Sequence, residues 1–391
     1  MSDSKLESVV QNRPPEDKRV GDGAKETTYL EAIREAMWEE MTTDPTVFLL
    51  GEDVGTYGGA FKITEGFLDE FGPGRIIDTP ISEAAIVGAA IGAAQMGFKP
   101  IAEMQFIDFI APAFDMIVNF AAKVRYRTGI GAPLVIRGPC GGGAHAGPFH
   151  SQNVESYFAN VAGLKMVAPA TARDAKGLLR AAIRDPDPVL YFEHKYLYRR
   201  IKEELPIDEE IIVPLGAART HRAGSDLTIV TYGAMVYKAE EAASRISEED
   251  GAELEVLDLR TLRPLDISTI VESVRRTGRV LIVHEASRFG GFAGEITSQI
   301  CEEAFEWLDA PIRRVTALDT PIPFSPPLEE YYLPQRSPRA LSPGGSRRWA
   351  RKSSVTKICS RSRPTRSTPI SHLRPAESSL RSSSRRATRW R

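Results

Sequence analysis

The chain has 391 residues, enough for two domains, and its 42% hydrophobic and 8% aromatic content excludes wholesale disorder. Its net charge of −2 conceals an asymmetry: residues 336–391 hold 14 Arg, 2 Lys and one acid, Glu377, a net of +15, so residues 1–335 carry −17. Three scattered cysteines, Cys140, Cys301 and Cys359, form neither a CxxC metal pair nor a disulfide framework, which fits a reducing cytoplasm.

Residues 1–26 read as a flexible polar leader with no secretory core. From Thr27 the apolar positions Leu30, Ile33, Ala36, Met37 and Met41 share one helical face, capped by Thr27 or Thr28 with Glu31 in the first turn. A strand is expected at 47–54, a helix opened by Ser82 at 82–97, and a strand at 99–106. A helix follows at 112–127, then strands at 132–139 and 164–170, a helix at 174–185 and a strand at 187–194. Alternation at this spacing predicts a doubly wound, parallel α/β sheet over 27–200. The uncharged run Ala84–Phe98 is 15 residues, short of the roughly 20 that a membrane helix needs, and reads as a buried helix.

The charged stretch 201–213 reads as a linker. A smaller α/β domain is expected over 214–335, with strands at 226–233, 252–260, 279–286 and 313–319 and a helix at 291–308. The Arg/Ser tail, 336–391, has three open readings: a disordered basic tail, a polyanion-binding segment, or an out-of-frame end. In a neighbouring frame, one back-translation from Pro375 onward resembles part of a lipoyl or biotinyl carrier domain.

Candidate site residues gather after strands, where open parallel sheets place ligands. They are Glu52 in Gly51-Glu52-Asp53-Val54-Gly55, Ile81 and Glu83 in Asp78-Thr79-Pro80-Ile81-Ser82-Glu83, and Gln105, Phe106 and Phe109. Glu83 stands in a first helical turn, where plain capping and a functional carboxylate are both open readings. The Gly88, Ala89, Gly92 and Ala93 spacing suits either tight packing inside the chain or a subunit seam. In the glycine-rich loop 138–152, His145 and His150 lack a third ligand nearby, so a proton-moving histidine is favoured over a metal site. Gly21-Asp22-Gly23 begins like a thiamin-diphosphate magnesium motif, but no strand precedes it and no Asn pair follows at the right spacing.

The segments LLGEDVG, GGAFKITEGF, RIIDTPISEAAIVGAAIG, AEMQF, GPFHSQ, DAKGLLRAAIRDPDPV and EVLDLRTLRPLD resemble the beta subunit of the thiamin-dependent first component of 2-oxo acid dehydrogenases. The resemblance covers about 27–335 and implies a transketolase-like pyrimidine-binding domain followed by a transketolase C-terminal domain. It also implies a two-alpha two-beta heterotetramer that feeds a lipoyl-bearing acyltransferase. Thiamin diphosphate would be shared with an alpha subunit that holds Mg2+ and the diphosphate.

Carried over by motif, Glu83 is a buried carboxylate facing the pyrimidine N1′, with Glu52, Ile81, Gln105 and Phe109 around the ring. His150 handles protons during acyl transfer to lipoamide. A potassium site would involve Leu134, Ala182, Ile183, Asp185 and Asp187. Branched-chain 2-oxo acids or pyruvate are the implied substrates. Acetoin cleavage, a non-catalytic polyanion-binding protein and a subunit unable to assemble are the alternatives. Nucleic acid and membrane are not expected partners.

Overall fold

The computed structural model describes residues 23–334; the calls made for the earlier leader residues and for the tail lie outside the described residues. The first domain runs β1 (Ala24–Thr28), α1 (Tyr29–Thr43), β2 (Val47–Gly51), α2 (Phe67–Phe71), β3 (Ile76–Asp78), α3 (Glu83–Gln95) and β4 (Lys99–Glu103). It continues with α4 (Val124–Thr128), β5 (Val135–Cys140), β6 (Lys165–Val167), α5 (Ala172–Arg184), β7 (Val189–His194) and β8 (Lys202–Pro206). The second holds β9 (Arg219–Arg222), β10 (Leu227–Thr231), α6 (Met235–Asp250), β11 (Leu254–Asp258), β12 (Thr261–Arg263) and α7 (Ile267–Thr277), then β13 (Val280–Ser287), α8 (Ala293–Ala304), β14 (Arg313–Ala317) and α9 (Pro326–Tyr332).

Local chemistry explains the start. Thr28 and Glu31 form a reciprocal capping box: the Glu31 N–H donates to Thr28 Oγ1 at 3.1 Å, and the Thr28 N–H donates to Glu31 Oε2 at 2.8 Å. Helix α1 then lays its apolar face against α5. The pair is tied at its polar margin, where Arg180 and Arg184 donate to Glu40 at 2.7–2.9 Å.

Seven strands form the main sheet in the order β12-β6-β7-β5-β4-β2-β3, parallel except for β12. Both faces are covered. Phe48 and Leu50 of β2 enter the core under α3, while Val47 and Leu49 enter the core under α1 and α5. Such strands read as continuous apolar runs because neither face meets water. The second sheet, β14-β13-β10-β11-β9, is parallel except for β9.

Several expectations need correction. Residues 24–26, assigned to the leader, begin β1, which pairs antiparallel with β8 inside the segment read as a linker. Their charged composition hid the strands, because a two-stranded ribbon with an exposed face does not need apolar alternation. The helix expected at 112–127 is a succession of 3-10, π and α turns, with Pro112 inside the first of them. Helices α6 and α7 were not foreseen, and β12 leaves its own domain to extend the first sheet. Helix α3 is buried on one side only: Met96 is 80% exposed and Ala84, Ala85 and Ala89 face outward.

One buried ionic group joins the middle of the main sheet. Arg137 on β5 is 1% exposed, and its guanidinium donates to Glu103 at the end of β4 and to Glu193 on β7. Tyr198 donates to the same Glu193 at 2.7 Å. Burial raises the Glu103 carboxyl above its ordinary range even though the Arg137 charge opposes this. Removing Arg137 strands two buried carboxylates, a loss of about 3–5 kcal/mol. Arg137→Met is therefore expected to lower unfolding free energy by about that amount in denaturant titrations. The triple variant with Glu103→Gln and Glu193→Gln should recover much of it; a single variant as stable as the parent would refute this account.

Candidate functional site

The register of the sheet decides which loops meet. Gly51 at the end of β2 lies opposite Asp78 of β3 on one side and Glu103 of β4 on the other. Glu52, the turn from Asp78 to Glu83, and Gln105 therefore leave the same carboxyl edge side by side. The glycine-rich loop leaves β5, the next strand along. Asp78 fastens the first two segments: its carboxylate accepts the Gly55 N–H at 2.6 Å and the Thr56 N–H at 3.3 Å.

Within this cluster Glu52 is 8% exposed. Burial raises its carboxyl above the usual range, and the charges of Glu83 and Asp53 push it the same way, so the two neighbouring loops bring like charges to this edge. Gln105 Nε2 donates to Asp53 Oδ2 at 3.1 Å, and Asp53 itself sits at a φ of 58°. His150 stands edge-on to two rings, Phe106 at 4.7 Å and Phe109 at 5.4 Å between centroids. Phe61 backs Phe106 at 5.6 Å. The structure thus pairs Glu52 with Glu83, Gln105 with Asp53, and His150 with Phe106 and Phe109.

Two features differ from expectation. Glu83 is half-buried, not buried, and Glu52 is the more enclosed of the two carboxyls. The reason is the uncovered side of α3: Ile81 just before it is 82% exposed. The two glycines on that helix are not needed for packing within the chain. A side chain at Gly92 would meet nothing within 4 Å, and one at Gly88 only Met116 Sδ at 3.6 Å. Two further neighbours of this loop were not foreseen: His145 Nδ1 lies 2.5 Å from Glu329, and the loop neck is held by Glu285. The signal available for Glu285 was a strand, RVLIVHEA, that ends in His-Glu.

The aromatic wall, the amide and the two neighbouring carboxylates suit a flat, polar heteroaromatic ring such as an aminopyrimidine. A diphosphate needs a metal or a basic cradle, and among the described residues no group of three or more His, Cys, Asp or Glu could hold a metal ion. Of the five residues assigned to potassium, Ala182, Ile183, Asp185 and Asp187 lie at the end of α5 and in the α5–β7 turn, while Leu134 just before β5 accepts the Val189 N–H at 3.0 Å. Their carboxylates are already matched, Asp185 by Lys165 Nζ at 2.6 and 2.7 Å and Asp187 by Arg125 Nε at 2.5 Å. Backbone carbonyls are what this corner offers a cation. Among the described residues no helix is long and apolar enough to cross a membrane.

Taking away the Glu83 charge should lower the titration point of Glu52. Because the Glu52 carboxyl is raised in the fold, its contribution to stability falls as pH rises from the ordinary carboxylate range through the elevated value. Glu83→Gln is expected to shrink that fall, seen as a flatter melting temperature between pH 4 and 7 than in the parent. Parallel profiles for the two proteins would count against coupled carboxylates.

Comparison with known proteins agrees with this geometry. Residues 25–200 match the transketolase pyrimidine-binding domain family, and residues 216–337 match the transketolase C-terminal domain family. The 2-oxoisovalerate dehydrogenase subunit beta of Bacillus subtilis (strain 168) is 50% identical over 309 residues, covering 78% of this chain and 94% of that protein. The mitochondrial pyruvate dehydrogenase E1 component subunit beta-1 of Arabidopsis thaliana is 46% identical over 320 residues, covering 80% and 87%. A solved structure, a split gene transketolase described as an inactive beta4 tetramer, superimposes with a TM-score of 0.64 at 26% identity, covering 78% of this chain and 93% of that one. The chain belongs to the beta subunits of 2-oxo acid dehydrogenases, a thiamin diphosphate-dependent branch of the transketolase-like family.

Proposed function

We propose that this chain is the beta half of a two-alpha two-beta enzyme that oxidatively decarboxylates a 2-oxo acid and passes the acyl group to lipoamide on an acyltransferase component. The observation that carries the reading is the buried Glu52 carboxyl, raised by its burial and by the Glu83 charge, at the sheet edge that also carries the Phe106, Phe109 and His150 cluster, with the Ile81 side open. This is half of a cofactor site, and the other half belongs to an alpha chain that supplies the metal and diphosphate contacts. The outward small-residue side of α3 suits a subunit seam, where backbones approach closely.

Thiamin diphosphate, when bound, supplies an electron sink for the loss of CO2. In this reading Glu83 holds a proton at the pyrimidine ring nitrogen, and Glu52 keeps the pocket short of full negative charge because burial favours its neutral form. Ile81, Gln105 and Phe109 line the ring. His150, enclosed by Phe106 and Phe109, gives or takes the proton that acyl transfer requires. Backbone oxygens around Leu134, Ala182, Ile183, Asp185 and Asp187 hold a potassium ion that stiffens the α5–β7 corner.

A branched-chain 2-oxo acid is favoured over pyruvate by the 50% identity to a 2-oxoisovalerate enzyme against 46% and 45% to pyruvate enzymes. The relatives named above favour this reaction over acetoin cleavage. A cytoplasmic location belongs to the same reading.

The test is reconstitution with an alpha-type chain, thiamin diphosphate and Mg2+, assayed on 2-oxoisovalerate and pyruvate. Glu83→Gln is expected to cut turnover by about 10²–10⁴-fold with every acceptor, the range for a lost proton-transfer group. His150→Ala should reduce acylation of a lipoyl domain more than reduction of an artificial dye. Full activity in the Glu83 variant would overturn the assignment.

A further inference from the structure

The glycine-rich loop that carries His150 is held from the other domain. Its two ends are joined to each other where the Gly141 N–H donates to the Gln152 carbonyl at 3.1 Å. At this neck the side chain of Glu285, from the end of β13, enters from the second domain and is 5% exposed. Its Oε1 accepts the Gly142 N–H at 2.6 Å on one side of the neck and Asn153 Nδ2 at 3.0 Å on the other. Its Oε2 meets His194 Nε2 at 2.9 Å, which anchors the carboxylate to the end of β7.

The loop is also fitted sterically, at its neck against β7 and further along against the second domain. Gly141 has a φ of +83°, and a side chain there would run into the His194 ring at 2.0 Å. Further along, Gly147 at φ +74° would collide with Phe324 at 2.2 Å. Glu329 on α9 accepts the Gly143 N–H at 3.1 Å. A buried carboxylate survives such burial only with its acceptor sites filled, and here the donors lie on both strands of one loop neck. Burial pushes the Glu285 carboxyl up, but the charge and hydrogen bond of His194, with the Gly142 N–H and Asn153, outweigh it and bring it to about 2.

From this arrangement we infer that Glu285 is a positioning residue for acyl transfer: it closes the neck of the 141–153 loop and so fixes His150 against Phe106 and Phe109. The inference rests on the role proposed above for His150. Glu285 touches neither cofactor nor substrate in this scheme; it acts through the loop. The second domain thereby takes part in the chemistry of a site built wholly from loops of the first.

The experiment uses the reconstituted complex and two independent readouts. Hydrogen exchange of peptides covering 141–153 reports the loop whatever His150 does. Lipoyl-domain acylation against dye reduction, both with 2-oxoisovalerate, reports the chemistry. In Glu285→Ala, exchange over 141–153 should accelerate by about tenfold or more while helices α1 and α5 stay protected. Acylation should fall by about tenfold or more and dye reduction less. In the His150→Ala background the same change should add little, because both act on one step.

If Glu285→Ala does not assemble, Asn153→Ala removes one of the neck bonds and should show the same pattern more weakly. Unchanged exchange over 141–153 would overturn the inference. So would an equal loss in both assays that adds to that of His150→Ala. Normal acylation in His150→Ala alone, with faster loop exchange in Glu285→Ala, would instead sink the reading of His150 and leave the clamp standing.

Discussion

The carboxyl edge of the main sheet depends on one buried cation. Arg137 lies on the central strand β5 and binds a glutamate on each neighbour, Glu103 at the end of β4 and Glu193 on β7. Three strand ends are thereby fixed in a single layer just below the loops that carry Gln105, His150 and His194. A carboxylate buried there without a partner would be too costly to keep charged, so each of the three groups requires the other two. The ion pair is thus a registration device as much as a source of stability.

Above that layer the charge balance reverses. Glu52 is buried beside two further acids, and the charges of Glu83 and Asp53 raise its carboxyl beyond what burial does. Such a cluster is unfavourable for folding, because each negative charge raises the cost of the others. Strain of this kind at a strand edge marks a place where binding is meant to supply the missing interactions. In the function proposed above, the open flank along Ile81 and the outward face of α3 is where an alpha chain and the cofactor reach it. The glycine-rich loop is treated differently: its Gly142, Gly143 and Gln152 N–H groups are satisfied inside the chain, by Glu285 and Glu329 from the second domain and by Asp108, which accepts the Gln152 N–H at 2.9 Å.

The two domains are consequently less separable than their alternating patterns suggest. Strand β12 belongs to the second domain by sequence but ends the first sheet, and Tyr232 of the second domain donates to the buried Glu155 of the first at 2.6 Å. These contacts hold the loop clamp in place. Strands β1 and β8, read as leader and linker, are ordered by pairing with each other.

Local chemistry was legible in the amino-acid order alone. Apolar runs such as VFLLG and PLVIRG declared strands, Thr27 or Thr28 with Glu31 in the first turn declared a helix start, and ordered motifs from LLGEDVG to EVLDLRTLRPLD declared the family. Glu52, Glu83 and His150 could be named because each follows a strand in a recognisable phrase. Three things were set by tertiary structure alone. Glu52 rather than Glu83 is the enclosed carboxyl, because enclosure depends on what covers α3. Lys165 and Arg125 match the charges of Asp185 and Asp187, pairings between residues 20 and 62 positions apart. Glu285 reaches a loop more than 130 residues earlier in the chain, and a spacing of that length leaves no periodic trace in sequence. Short-range backbone preferences are written locally, whereas a buried charge chooses its partner only once the sheets have brought distant residues together.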